Sequence, residues 1–135
     1  MLDFGSINWI AVVAGVIASN VLGFLWYGPL FGKRWMSMIG KTEDEIEANP
    51  TMYLITALSS ALTMIVLALV VDAFGAGDFV EGLIIGAVAN IGLSATSTFV
   101  YTTFEGPPLG VWGLFVIYQL LIFALMGGVF AVWTV

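Results

Sequence analysis

The sequence contains no cysteine and no histidine. Without them the chain has no thiolate nucleophile and no imidazole base, so it cannot build the Ser–His or Cys–His pairs of nucleophilic catalysis. The usual zinc ligands and a histidine ligand for haem are missing for the same reason. The sequence therefore predicts a protein that is not an enzyme, with no metal site and no cofactor.

Charged residues are also scarce: they make up 9% of the 135 residues, whereas 61% are hydrophobic. Soluble domains have roughly 25% charged residues, because a helix that faces water needs a polar stripe. Here the apolar residues form runs longer than the roughly 18 that mark a membrane-spanning helix. The composition excludes a soluble bundle and predicts an integral membrane protein in contact with the lipid bilayer. The formal net charge of −6 argues against nucleic acid as a partner.

The apolar runs predict an all-α fold, an integral membrane four-helix bundle that forms one domain over residues 1–135. Residues 30–50 form the only polar connection. Within it, Phe31–Ile39 mixes Lys33 and Arg34 with large apolar side chains, which predicts a short amphipathic helix at the membrane interface after the first span. The predicted spans cover about residues 7–27, 51–71, 79–102 and 109–133.

Local signals predict where these helices begin and end. Gly28 and Pro29 predict the end of the first span, because proline disrupts a helix interior. Asp78, followed three residues later by Glu81, has capping-box spacing and predicts the start of the third span. A similar spacing in the polar connection predicts one further solvated turn at residues 43–48.

The three basic residues predict the orientation of the chain. Lys33, Arg34 and Lys41 all lie in the first connection, which the positive-inside rule places in the cytoplasm. With four spans, both termini of this multi-pass protein then face outward. Aromatic residues near the predicted span ends are typical of interfacial belts. These aromatic residues are Trp9, Tyr27, Tyr53, Phe74, Tyr101, Trp112 and Trp133.

Three amide side chains, Asn20, Asn90 and Gln119, stand near the middle of three different spans. An amide in hydrocarbon is costly unless it is hydrogen-bonded. These side chains therefore either line a solute path or join helices through hydrogen bonds worth about 1 kcal/mol each. Both interpretations remain open at this point.

Small residues recur at a spacing of four on the first and third spans. Because they lack bulk, such residues let helix backbones approach each other in lipid. The pattern predicts close helix packing, either within one chain or between copies. The residues are Gly15, Ser19 and Gly23 on the first span, and Gly82, Gly86 and Asn90 on the third.

Glu105 stands in the turn before the fourth span, on the same predicted side of the membrane as the basic first connection. Its carboxylate is therefore a candidate partner for Lys33 or Arg34. Such an ion pair would form a cytoplasmic latch between the two connections, although an exposed pair contributes little stability.

Two blocks of sequence, Gly23–Lys33 in the first half of the chain and Phe104–Gly106 in the second, carry motifs that resemble domain-of-unknown-function family 1761, a family of small prokaryotic membrane proteins. The similarity extends over essentially the whole chain. It implies four spans and a location in the prokaryotic cytoplasmic membrane, and it supplies no activity. Gln119 occupies a place where the family pattern commonly has a histidine, so the sequence does not support a proton or metal role there. The motifs are Ile7–Trp9, Gly23–Lys33, Trp35–Met36, Phe104–Gly106, Pro108–Leu109, Tyr118 and Met126–Gly127.

These features predict a non-enzymatic membrane protein that self-associates as a homo-oligomer and forms a small-solute or ion pathway between its subunits. The alternative is an accessory or assembly subunit of a larger membrane complex, without transport activity. The two hypotheses differ in whether the amides converge on a wet cavity or on a dry contact.

Overall fold

The computed structural model describes residues 2–46 and 49–135, and these residues are arranged as helices and turns without strands. Four helical stretches are long and apolar enough to cross a membrane, and a short helix follows the first of them. The all-α membrane bundle is thereby confirmed. The spans are Trp9–Leu30, Pro50–Ala73, Phe79–Phe104 and Leu109–Val132.

The helices have the following bounds. Helix α1 covers Trp9–Leu25 and continues through a π-helical turn at Trp26–Leu30. The short helix α2 covers Gly32–Ile39, and α3 covers Pro50–Ala73. The third span consists of α4 (Phe79–Ala89), a π-helical segment (Asn90–Ala95) and α5 (Thr96–Phe104). Helix α6 covers Leu109–Val132. Two 3₁₀ turns lie at Phe4–Ser6 and Glu43–Glu45.

The prediction that the first span ends at Gly28 and Pro29 is wrong. Helical geometry continues through both residues to Leu30, and the Phe31 N–H donates to the Trp26 carbonyl at 2.9 Å, five residues back. Proline has no N–H, and its ring would collide with the carbonyl four residues earlier in a regular helix. A π-helical turn is wider and accommodates the ring. In the polar connection the predicted turn is a 3₁₀ turn at Glu43–Glu45, and residues 47 and 48 lie outside the described residues.

Side-chain caps begin the first and third spans, and the one at Asp78 confirms the predicted start of the third span. Asn8 Oδ1 accepts hydrogen bonds from Ile10 N–H and Ala11 N–H at the start of α1. The Asp78 carboxylate accepts from Glu81 N–H at 2.9 Å, and the Glu81 carboxylate accepts from Gly77 N–H at 2.7 Å. These bonds satisfy donors that have no partner within the helix.

Glycine contacts bring α4 and α6 together. A side chain at Gly82 would collide with the backbone of Gly127, and one at Gly86 would collide with the backbone of Phe123. The two helices thus approach backbone to backbone, as small residues allow in membranes. This pair forms one half of the bundle, and α1 with α3 forms the other.

A buried core joins α1, α3 and α6. Its members include Ala11, Met64, Leu67, Ile122 and Met126. Contacts at one end of the bundle bring together the N-terminal segment, the α3–α4 turn and the end of α6. Ser6 Oγ donates to Asp72 Oδ2 at 2.8 Å, and Asn8 Nδ2 donates to the Trp133 carbonyl at 3.2 Å. We call this the termini end and the opposite one, which carries α2, the α2 end.

Candidate functional site

A cleft opens between α3 and α5 at the α2 end of the bundle. Its outer part is a cavity of about 660 Å³, which falls in the 300–1,000 Å³ range of small-molecule sites. We call it the aromatic chamber. Six aromatic side chains and three threonines line it: Tyr27, Trp35, Tyr53, Tyr101, Trp112 and Phe115, with Thr56, Thr98 and Thr102.

A second cavity of about 340 Å³ continues the cleft inward between α1, α3 and α6. We call it the hydroxyl chamber. Thr56 and Phe115 line both chambers, so the two chambers adjoin each other. The polar side chains that line the hydroxyl chamber are Ser19, Thr56, Ser59, Ser60, Thr63, Tyr118 and Gln119. The cleft therefore leads from aromatic residues at the α2 end to hydroxyls and an amide deeper in the bundle.

Packing and hydrogen bonds hold the aromatic walls in place. The π-helical turn carries Tyr27, whose ring meets Trp35 of α2 edge-on with centroids 5.2 Å apart. Trp112 Nε1 donates to Thr98 Oγ1 and to the Ala95 carbonyl, each at 3.2 Å. The indole of Trp112 is thus fixed against α5. Contacts within the chain therefore fix the positions of the Tyr27, Trp35 and Trp112 rings.

The hydroxyl groups along the cleft direct their protons back into their own helices. Thr56 Oγ1 donates to the Met52 carbonyl, and Thr98 Oγ1 donates to the Ser94 carbonyl, each at 2.8 Å. Ser60 Oγ likewise donates to the Thr56 carbonyl at 2.8 Å. A hydroxyl has one proton and two lone pairs, so these groups offer acceptor oxygens to the cleft.

The three predicted amides have different surroundings. Asn20 Nδ2 donates to the Val16 carbonyl at 2.8 Å and to Ser60 Oγ at 3.3 Å, which links α1 to α3. Gln119 is half-buried and lines the hydroxyl chamber. Ser60 lines the same chamber, so Asn20 and Gln119 belong to one polar region.

Asn90 lies apart from the cleft lining. It is 0% exposed, and neither atom of its amide has a hydrogen-bond partner among the described residues. Gly82 faces Gly127 and Gly86 faces Phe123, and this antiparallel register places Asn90 level with Gln119. Asn90 also begins the π-helical segment of the third span.

Glu105, Lys33 and Arg34 are exposed residues at the α2 end of the bundle. Their exposure is compatible with an ion pair, since salt bridges of this kind form in water at the membrane surface. The latch between them stays a prediction.

Sequence reasoning did not find the aromatic chamber or the role of Tyr118. The Tyr118 hydroxyl donates to the Ser19 carbonyl at 2.7 Å and so joins α6 to α1. The sequence predicts interfacial belts at Tyr27, Tyr53, Tyr101 and Trp112, yet all four line one cavity. One local signal was available: Trp112, Phe115 and Gln119 are spaced three and four apart, on one face of α6.

Comparison with known proteins gives one family match. A family model described as "Protein of unknown function (DUF1761)" matches residues 10–131. This match confirms the resemblance found in the sequence motifs. No curated protein and no solved structure matches the chain.

Proposed function

The chain belongs to the DUF1761 family, and we propose that it binds a small solute in the cleft between α3 and α5 without carrying out chemistry on it. One observation carries this proposal: the cleft formed by the adjoining aromatic and hydroxyl chambers. A packed bundle would bring α3 and α5 together instead. Preformed cavities with apolar walls and a few placed polar groups are typical of ligand sites.

We extend the proposal to a pathway between subunits in a homo-oligomer. The first residues of α3, 51–56, are exposed, and so is most of α5, so the cleft has no wall on its outer side. A second copy packed against this side would enclose the solute. The hydroxyl chamber would then continue the path toward the middle of the membrane, where Gln119 contributes its amide.

The same proposal includes a location and an orientation. Lys33, Arg34 and Lys41 all belong to the segment at the α2 end. By the positive-inside rule this end faces the cytoplasm, and the termini end faces outward. The aromatic chamber then opens near the inner surface of the cytoplasmic membrane.

Cysteine labelling tests whether water and water-soluble reagents reach the cleft. The natural chain has no cysteine, so a single introduced thiol gives an unambiguous signal. Ser59 and its neighbour Leu58 are both exposed on α3, but Ser59 lines the hydroxyl chamber and Leu58 does not. In membrane vesicles, we expect a hydrophilic methanethiosulfonate reagent to modify Ser59→Cys and to leave the matched control Leu58→Cys unmodified, because hydrocarbon excludes the reagent and suppresses the thiolate.

Addition of a solute that occupies the cleft should then protect Ser59→Cys from the reagent. If Ser59→Cys resists modification as fully as Leu58→Cys, the cleft is closed by a protein partner or by dry packing. That result would contradict solute binding and favour an accessory subunit of a larger complex.

A further inference from the structure

The lining of the aromatic chamber combines six aromatic rings with acceptor oxygens, and from it we infer that the solute is a lipophilic organic cation, such as a quaternary ammonium or phosphonium compound. This inference rests on the proposed function, since it names the chemical class bound at the same site.

The aromatic rings favour a cation. The face of an aromatic ring carries partial negative charge, and a cation within about 6 Å of the ring centre is attracted to it. Trp35, Tyr27 and Trp112 all line the chamber, and Trp35 and Tyr27 pack against each other. Several aromatic walls around one space are the arrangement by which proteins bind quaternary ammonium groups.

The hydroxyl groups favour the same class of solute. Thr56 and Thr98 donate their protons to carbonyls of their own helices. Thr56 therefore keeps both lone pairs, and Thr98, whose oxygen also accepts from Trp112, keeps one. Lone pairs attract a positive charge and repel an anion. The indole N–H of Trp112 is already engaged with α5 and is not free to bind an anionic solute.

The distribution of charged residues around the aromatic chamber also favours a cation. No charged residue lines the aromatic chamber within the described chain, and Lys33 and Arg34 are exposed on α2. Glu105 is exposed and stands two positions before Pro107, which does line the chamber. Among the described residues at the α2 end, the acidic side chains Glu43, Asp44, Glu45 and Glu105 outnumber the three basic ones by one, so the net charge near the chamber is not positive.

An interfacial belt is the competing explanation for aromatic residues at this depth. Tyr53 and Tyr101, which are 66% and 58% exposed, suit a belt as well as a binding site. Trp112 does not, because it is half-buried and its N–H is directed into the protein. Trp35 and Tyr27 are likewise half-buried and pack on each other.

A pair of ions with the same shape and opposite charge provides the test. The purified full chain in nanodiscs of zwitterionic lipid is titrated with tetraphenylphosphonium and, separately, with tetraphenylborate, and binding to empty nanodiscs is subtracted. We expect saturable binding of tetraphenylphosphonium and about tenfold or more weaker binding of tetraphenylborate, because the ring faces and hydroxyl oxygens attract only the cation.

Substitutions of tryptophan test whether tetraphenylphosphonium binds in the aromatic chamber. Trp112→Leu removes a ring face and should weaken tetraphenylphosphonium binding by about threefold to thirtyfold, and Trp112→Phe should lose less. Trp35→Leu is a second variant, because α2 lies outside the four spans. The matched control is Trp133→Leu, an exposed tryptophan at the termini end, which should bind as the natural chain does. Circular dichroism and elution volume verify that each variant is folded.

Two results would overturn the inference in different ways. If tetraphenylborate binds as tightly as tetraphenylphosphonium and both depend on Trp112 or Trp35, the chamber selects apolar solutes without regard to charge. The inference on charge then fails, and the proposed function stands. If neither ion binds saturably above empty nanodiscs, the inference fails, and the labelling of Ser59→Cys decides separately whether the proposed function stands.

Discussion

Asn20 and Asn90 carry the same amide group into the membrane but meet different surroundings. Asn20 finds an acceptor on its own helix and another on α3, whereas Asn90 is fully buried without a partner among the described residues. A buried amide without partners costs about 1–3 kcal/mol. The two residues should therefore respond to the same substitution in opposite directions.

Asn90→Leu should raise the free energy of unfolding by about 1–3 kcal/mol, since leucine has a similar size and needs no hydrogen bond. The measurement is reversible unfolding in mixed detergent micelles, followed by circular dichroism. A loss of stability would contradict this expectation. It would mean that Asn90 has a partner in the intact protein, with Gln119 at the same level of α6 as the first candidate.

Asn20→Leu should lower the free energy of unfolding by about 1 kcal/mol, because it removes the hydrogen bond between α1 and α3. Ser60→Ala removes the acceptor of that bond and should have a similar effect, and the double variant should lose little more than either single one. The same unfolding assay measures all three. Additive losses would show that the two side chains do not interact.

At the scale of the elements, the spans are held together by contacts of two kinds. Helices α4 and α6 approach through glycine backbones, while α1, α3 and α6 share a core of larger side chains. The close α4–α6 contact keeps the termini half of the third span against α6. Beyond the π-helical segment at Asn90–Ala95, α5 and α3 stay apart, and the cleft lies between them.

Gly86→Ala should lower the free energy of unfolding by about 1–3 kcal/mol, because the added methyl group meets the Phe123 backbone, which cannot move aside cheaply. The matched control is Gly92→Ala on the same span, where a methyl group would meet nothing within 4 Å. That variant should be neutral or more stable by up to about 1 kcal/mol. Equal effects at both positions would contradict the glycine-mediated contact.

For the whole molecule, the open side of the cleft predicts self-association. Particles extracted gently from the native membrane should be homo-oligomers that contain this chain alone, because a second copy would cover the exposed first residues of α3. Native mass spectrometry measures the particle mass and identifies its components. Reproducible co-purification with a larger complex would contradict this and favour an accessory subunit.

The membrane location, the number of spans and the helix starts were all determined by the sequence, because each depends on neighbouring residues. A long apolar run marks a span wherever it occurs, and Asp78 caps a helix with a donor only three residues away. The course of the chain at Pro29 is an exception. The chemistry of proline predicts that the helix ends there, but the chain stays helical because Pro29 lies within a π-helical turn.

The candidate site was decided by the tertiary structure. Asn20 pairs with Ser60 across 40 positions of the chain, and Tyr118 reaches Ser19 across 99. Such contacts depend on how each helix is rotated about its axis, and the glycine and core contacts between helices set that rotation. Trp35, Tyr101 and Trp112 come from three separate elements, and each alone resembles an interfacial anchor. Only the packing of α2, α5 and α6 turns them into the walls of one chamber.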